Sequence, residues 1–285
     1  METFIEILKA ILIGIVQGIT EWLPVSSTGH MIIVNDFLPL RVSPEFWELF
    51  EVVIQLGSIL AVLVLFFDKL NPISKKKSPD QRGKIWRLWL KVIVAMLPTA
   101  IIGVPLDLLI EHFFGESAFA TVLLICSTLI IYGILFIIIE RLNKNKIKKY
   151  EDVYEIDYLT ALKIGCFQSL SVVPGTSRSG STILGASLVG VSREAAAEFS
   201  FFLAIPVMLG ASLLKCAKAF ILDKISITST ELVVLIVGTL TAFLVSLVVV
   251  KFLMSFVKRH SFEAFGWYRI AIGVILIIYA LVKYL

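Results

Sequence analysis

Apolar residues in this chain fall in long unbroken runs, not in the three-four spacing of a half-buried helix or the alternation of a half-buried strand. Residues 119–139 form one such run of 21 residues, about 31 Å of helix, which matches a hydrocarbon core of about 30 Å. Runs at 232–250, 265–285 and 52–67 with its upstream turn are comparable. Two further spans are expected at 88–104, which contains Pro98, and at 199–214, which contains Pro206. Proline is tolerated inside a transmembrane helix and marks a kink there.

Two other segments have a different form. Residues 4–20 reach about 25 Å before Glu21 and Pro24, and residues 159–173 about 22 Å before Pro174 and Gly175. Each is followed by a polar turn and a second short apolar stretch, 31–40 or 183–191. Too short to cross singly, each pair is expected to form a re-entrant helix-turn-helix hairpin, at about 4–40 and about 158–191. Such backbone is allowed at depth only where protein or a water-filled cavity surrounds it.

The two hairpins share one polar pattern. An offset of 151 aligns Gly14 with Gly165, Gln17 with Gln168 and Gly29 with Gly180, while Pro24/Pro174 and Ser27/Ser177 align at 150. Late in each half the tetrapeptide Leu-Ile-Ile-Tyr recurs, ending at Tyr132 and Tyr279. One hairpin plus three crossings per half makes an odd number of crossings, so the second half enters from the opposite face. The expected fold is therefore an all-α polytopic membrane protein, a single membrane domain built as an inverted-topology repeat of residues 1–145 and 146–285.

Composition agrees. With 58% hydrophobic residues and a mean hydropathy of +0.93 over 285 residues, a soluble core has no room for the apolar surface. The net charge of +4 matters less than its placement. Alternating loops put fourteen lysines and arginines on one side, in 68–84, 140–158 and 251–262, against Arg41, Lys215, Lys218 and Lys224 on the other. The richer side is expected to be cytoplasmic, with the first hairpin opening outward and the second inward. Lys75, Lys76 and Lys77 then determine topology, and nucleic acid is not an expected partner. Cys126, Cys166 and Cys216 stand singly in apolar runs without metal-ligand spacing and are expected to be small, buried, reduced thiols. The first residues lack a basic n-region, so a cleaved signal peptide is not expected.

The second hairpin carries an anion cradle. Pro174 to Thr182 packs hydroxyls, two glycines and Arg178 into nine residues opening a helix. Gly175 and Gly180 have P-loop spacing, but Ser181 stands where that motif needs lysine and no strand precedes it. A nucleophile elbow fails as well, since Ser179 replaces its second glycine. Small residues and serines also let membrane helices pack closely without any ligand. Against that, Glu21 and Arg178 each cost about 2.5 to 3.5 kcal/mol at a helix centre, which a functional site or mutual pairing must offset. In the first hairpin Glu21, Ser26, Ser27, Thr28 and His30 surround the Pro24 turn and make a phosphoryl-transfer set: hydroxyl nucleophile, carboxylate and imidazole.

At these residues the chain resembles the undecaprenyl-diphosphate phosphatase family, the bacitracin-resistance type of integral membrane phosphatase. The motif (Glu/Gln)-x-x-x-Glu stands as Gln17 to Glu21, and Pro-Gly-x-Ser-Arg-Ser-x-x-Thr as Pro174 to Thr182 without departure. The likeness extends over essentially the whole chain. It implies hydrolysis of the C55 polyprenyl diphosphate to its monophosphate, which recycles the lipid carrier of cell-wall synthesis in the bacterial cytoplasmic (inner) membrane and confers bacitracin resistance. A site open to the outer, periplasmic face and a divalent cation, Mg2+ or Ca2+, are implied with it. By position, Glu21, Ser27, His30 and Arg178 are the expected catalytic group. Ser26, Thr28, Gly175, Thr176, Ser177, Ser179 and Thr182 are expected around the phosphates. Glu21 and Gln17 are the candidate cation ligands, although glutamine at 17 weakens a two-carboxylate site. The nucleophile is Ser27, His30 or an activated water. Expected partners are the lipid substrate and membrane lipid, with room for a homodimer. Inverted repeats with broken helices also build transporters, so a polyprenyl-phosphate flippase is the competing class and a lipid-binding structural protein a third.

The sidedness is testable. In a variant lacking the native cysteines, a cysteine placed at Lys76 is expected to react in whole cells with membrane-permeant maleimide only. Labelling by an impermeant reagent would reverse the orientation.

Overall fold

The structure is a computed structural model that describes residues 2–114 and 117–284. Residues 1, 115, 116 and 285 belong to the expected N-terminus, the 107–118 loop and the end of the last span, and lie outside the described residues. The helices in chain order are α1 (Glu2–Thr20), α2 (Ser27–Phe37), α3 (Pro44–Leu65), α4 (Phe67–Leu70), α5 (Pro79–Phe114), α6 (Ala118–Asn143), α7 (Tyr158–Ser169), α8 (Arg178–Leu188), α9 (Arg193–Ala217), α10 (Ser229–Arg259) and α11 (Glu263–Tyr284). Among the described residues seven are long and apolar enough to cross a membrane: α1, α3, α5, α6, α9, α10 and α11.

The helices begin where polar side chains satisfy their first N–H groups. Ser43, Ser117, Asp157, Ser192 and Thr228 cap α3, α6, α7, α9 and α10, each accepting from the amide three residues on. The apolar runs therefore understate the helices, which continue through charged ends; residues 88–104, for example, lie within a helix of 36 residues. The first hairpin's leading helix also exceeds its expected length. α1 has 19 residues, about 28 Å, and by length alone could span.

Packing nevertheless treats α1 and α7 alike. Gly14 faces Gly238 and Thr241 on α10, and Gly18 faces Ala242 and Val245, so α1 runs parallel to α10 and ends near the middle of it, where Ser246 donates to the Gly18 carbonyl at 3.4 Å. α7 runs along α5 in the same manner, with Gly165 against Ala95, Gln168 Nε2 donating to Thr99 Oγ1 at 3.1 Å and Val172 beside Gly103. The duplicated glycines are what permit these approaches. A Cβ on Gly165 would lie 2.1 Å from the Ala95 oxygen, and one on Gly14 would lie 2.6 Å from the Gly238 oxygen.

Each hairpin is closed at its open end. In the first, Lys9 Nζ donates to the Pro39 carbonyl at 2.6 Å and the Arg41 amide to Glu6 Oε2 at 3.0 Å. In the second, Lys149 N donates to the Gly190 carbonyl at 2.9 Å and Ser192 N to that of Tyr150 at 2.8 Å. Hydrogen bonds from the Tyr150 hydroxyl and the Thr160 amide hold the Asp157 carboxyl, in the loop before α7, down to about 2. The two halves also meet along α6 and α11, which cross with Gly133 and Gly266 facing each other.

The cysteines depart from expectation. Cys126 is buried, but Cys166 is exposed and Cys216 only partly covered, because each lies on a helix face turned away from the bundle; all three are free thiols.

The close crossing of α5 and α7 predicts that Gly165→Ala destabilises the protein by about 1–3 kcal/mol, read as a lower melting temperature in detergent. Gly210→Ala, where a Cβ meets nothing within 4 Å, serves as control. Equal melting of the two variants would contradict the crossing.

Candidate active site

The turns of the two hairpins meet in the interior. Ser26 and Ser177 are the N-caps of α2 and α8, and both adopt the same left-handed backbone, φ 74°. Each accepts a hydrogen bond from the glycine three residues on, Gly29 at 3.4 Å and Gly180 at 3.1 Å. A non-glycine residue held there costs about 1–3 kcal/mol and persists only where its surroundings enforce it. The counterpart of Ser177 is therefore Ser26, not Ser27 as the sequence alignment expects. The extra residue of the second copy lies between the proline and the cap, where Gly175 and Thr176 stand against Val25 alone. Gly175 has φ +85° and presses against α6, so that a Cβ would lie 2.2 Å from Thr128 Oγ1.

With these caps fixed, the first residue of α8 points Arg178 at the first hairpin. Its Nη2 donates to Glu21 Oε1 at 3.0 Å and its Nη1 to the Ser200 carbonyl at 3.0 Å. The other oxygen of Glu21 accepts from Gln17 Nε2 at 3.0 Å and Ser27 Oγ at 3.2 Å. Arg178 Nε is buried without a hydrogen-bond partner, and the guanidinium lies 5.7 Å from the Trp22 ring. Ser179 Oγ contacts the carbonyls of Glu21 and Leu23 at 3.4 and 3.3 Å, a second tie between hairpins. A cavity of about 220 Å³ opens here, lined by Glu21, Ser27, Thr28, Gly175, Ser177, Arg178 and Ser179 from the hairpins.

The remaining expected residues stand behind this lining. Thr182 is fully buried, donating to the Arg178 carbonyl at 2.9 Å and lying 2.6 Å from Ser200 Oγ. Ser26 and Thr176 are buried in the turns. Gln17 supports Glu21 from one helical turn below. His30 is occupied on both ring nitrogens: Nδ1 is 2.7 Å from the Ser26 carbonyl, to which it donates, so Nε2 accepts from the Tyr268 hydroxyl at 2.7 Å. It stacks on Tyr268 outside the cavity lining.

Several participants were not expected from sequence. Arg269 on α11 is completely buried and binds both turns, with Nη1 on the Pro24 carbonyl at 3.1 Å and Nη2 on those of Gly175 and Thr176 at 2.8 and 2.9 Å. Its guanidinium lies over the Tyr132 ring at 5.5 Å. Gln55, Ser171, Val172 and Met208 complete the cavity wall, together with Pro174 of the expected cradle. A charge inside a run of 21 apolar residues was the available signal for Arg269, and an amide inside 52–67 the signal for Gln55. Two guanidiniums against one carboxylate leave the site with an excess of positive charge, suited to an anion.

Among the described residues no group of three or more histidine, cysteine or acidic side chains forms a metal cluster. Glu21 is the single carboxylate of the lining, and Arg178, Gln17 and Ser27 already engage it. Hard divalent cations take six or more oxygens, so this donor set fits a cation only when the ligand brings most of them.

The family model described as bacitracin resistance protein BacA matches residues 10–275 of the chain. A protein of Clostridioides difficile named undecaprenyl-diphosphatase 1 is 53% identical over 281 residues, covering 98% of both chains. Proteins named undecaprenyl-diphosphatase from Enterococcus faecalis and Streptococcus suis are similar at 51% over 277 residues and 50% over 281, covering at least 97% of this chain and 98% of theirs.

The Arg269 contacts predict that Arg269→Met destabilises the protein by several kcal/mol, about 1–3 for each carbonyl left without a donor. Arg269→Lys restores part of it. Unchanged thermal unfolding of Arg269→Met in detergent would show that the turns hold together without it.

Proposed function

Because the chain belongs to the bacitracin resistance protein BacA family, we propose that the cavity between its hairpins is where undecaprenyl diphosphate loses its terminal phosphate, leaving undecaprenyl phosphate. Relatives at about half identity over nearly the whole chain carry that activity in their name. The observation that carries the reading is the Glu21–Arg178 contact of 3.0 Å inside a hydroxyl-lined cavity.

The hairpins are re-entrant and the halves 1–145 and 146–285 form an inverted repeat in the bacterial cytoplasmic membrane, with the site open to the outer face. Three observations support this. α1 ends near the middle of α10, each hairpin is tied at its open end, and α1 on α10 mirrors α7 on α5. The excess of lysine and arginine in 68–84, 140–158 and 251–262 supports the orientation.

Binding uses donors of the residues that line the cavity. The unpaired Nε–H of Arg178, the first amides of α8 and the hydroxyls of Thr28, Ser177 and Ser179 receive the phosphate oxygens. As Arg178 turns from Glu21 toward phosphate, Glu21 is freed to accept a proton. Ser27 Oγ, already donating to Glu21, attacks the terminal phosphorus and its proton passes to the carboxylate. The bond from phosphorus to the bridging oxygen breaks, and undecaprenyl phosphate leaves with that electron pair. Glu21 releases its proton to solvent. A water then attacks the phosphoserine, gives its proton to Glu21, and that proton returns to Ser27 as inorganic phosphate departs.

His30 ties the first turn of α2 to α11, and Thr182 supports the Arg178 carbonyl; both are positioning residues. Mg2+ or Ca2+ would enter as a companion of the diphosphate, with Glu21 and the amide oxygen of Gln17 as the protein ligands that would hold it, and would neutralise phosphate charge.

Purified protein in detergent with Mg2+ or Ca2+ is expected to release phosphate from undecaprenyl diphosphate and to stop on chelation. Arg178→Ala is expected to lower kcat/KM by about a hundred- to a thousandfold while the protein stays folded. Release undiminished in Arg178→Ala would contradict the cradle. With substrate labelled in its terminal phosphate, acid quenching is expected to trap label on the wild type and none on Ser27→Ala. Turnover without trapped label would assign the attack to water.

A further inference from the structure

The phosphate cavity has one wall that the hairpins do not supply. Gln55 on α3 and Met208 on α9 line it together, and these helices run antiparallel: Phe66 packs on Phe201 and Phe202, and Lys69 pairs with Glu198 at 2.6 Å. One turn from Gln55 toward the start of α3, this register brings Glu51 level with Ser212, and one turn further Glu48 level with Lys215. The charges agree with that register, since the groups acting electrostatically on Glu51 are Lys215 and Glu48.

At this level of α3 and α9 two side chains make no hydrogen bond among the described residues. Ser212 is 1% exposed and its hydroxyl makes no hydrogen bond. Glu51 is half-buried and makes no hydrogen bond or ion pair among the described residues. An unpaired carboxylate on a membrane-spanning helix is costly, which marks Glu51 as a candidate functional group. One turn along α3, at Gln55, lies a cavity whose single carboxylate is already engaged by Arg178, Gln17 and Ser27, so that it offers a hard cation no free carboxylate. One helical turn is about 5.4 Å, a distance that a glutamate side chain largely spans.

We infer that Glu51, with the Gln55 amide oxygen and the Ser212 hydroxyl, forms a divalent-cation site at the outer edge of the phosphate cavity and supplies the second carboxylate that position 17 lacks. This rests on the phosphatase reading for the diphosphate that shares the ion; the oxygen ligands belong to the chain. Gln55 bridges the two regions, lining the cavity on one side and standing a turn from Glu51 on the other. The exposed Lys215 balances Glu51 through solvent when the ion is absent.

The test is Mn2+ binding followed by electron paramagnetic resonance on detergent-solubilised full-length protein, with methylene diphosphonate as a headgroup probe that cannot be hydrolysed. Glu51→Gln is expected to weaken Mn2+ at least about tenfold with melting unchanged. Glu48→Gln, nearer the rim and exposed, is expected to change it less than about threefold. Wild-type affinity in Glu51→Gln, or no Mn2+ bound by the wild type, would overturn the inference. If Glu51→Gln does not fold, Ser212→Ala is expected to weaken Mn2+ a few fold, and unchanged affinity there would overturn it equally. Failure of the wild type to release phosphate, with Mn2+ binding still dependent on Glu51, would reject the phosphatase reading and leave the cation site standing.

Discussion

A carboxylate and a guanidinium buried in apolar surroundings must find each other or leave. Glu21 and Arg178 are 157 positions apart in sequence, on different hairpins, and meet at 3.0 Å. Each alone carries an insertion cost of about 2.5–3.5 kcal/mol, which the contact between the hairpins offsets. A buried pair of this kind is weak evidence for added stability, since desolvation consumes much of the attraction. In the proposed mechanism the pair acts when an anion arrives: Arg178 turns to the phosphate and the carboxylate is released beside Ser27.

The rest of the fold holds that pair in place. Gly14 and Gly165 allow α1 and α7 to lie directly on α10 and α5, which bring the two turns to the same interior level. Arg269 binds the turn carbonyls of both hairpins, and Ser179 contacts two carbonyls of the first. The left-handed backbone at Ser26 and Ser177 is the cost of aiming two helix N-termini into one space, and it is paid twice in the same geometry. Fold alone would serve a transporter as well as a hydrolase. The names of relatives at about half identity favour hydrolysis.

Much of this was legible in the sequence because charge and glycine are conspicuous in apolar runs. Six of the seven long apolar helices, the two helix-turn-helix pairs and the meeting of Glu21 with Arg178 followed from length, polarity and insertion cost. What could not be read came from contacts between distant segments. Arg269 belongs to neither motif, and only the packing of α11 brings it to Pro24 and Gly175. His30 is read from its proximity to Ser27, whereas the partners of its ring, the Ser26 carbonyl and Tyr268, needed the structure. The one-residue slip between Ser26 and Ser27 needed backbone angles, since adjacent serines are interchangeable in an alignment. α1 was undercounted because the apolar run begins at Phe4, whereas the helix begins at Glu2.

The most direct test is an experimental structure with a polyprenyl methylenediphosphonate bound. The headgroup is predicted between Glu21 and Arg178, with a phosphate oxygen within hydrogen-bond distance of Arg178 and Ser27 Oγ facing the terminal phosphorus. A headgroup bound elsewhere, with the Glu21–Arg178 contact intact and untouched, would contradict the account.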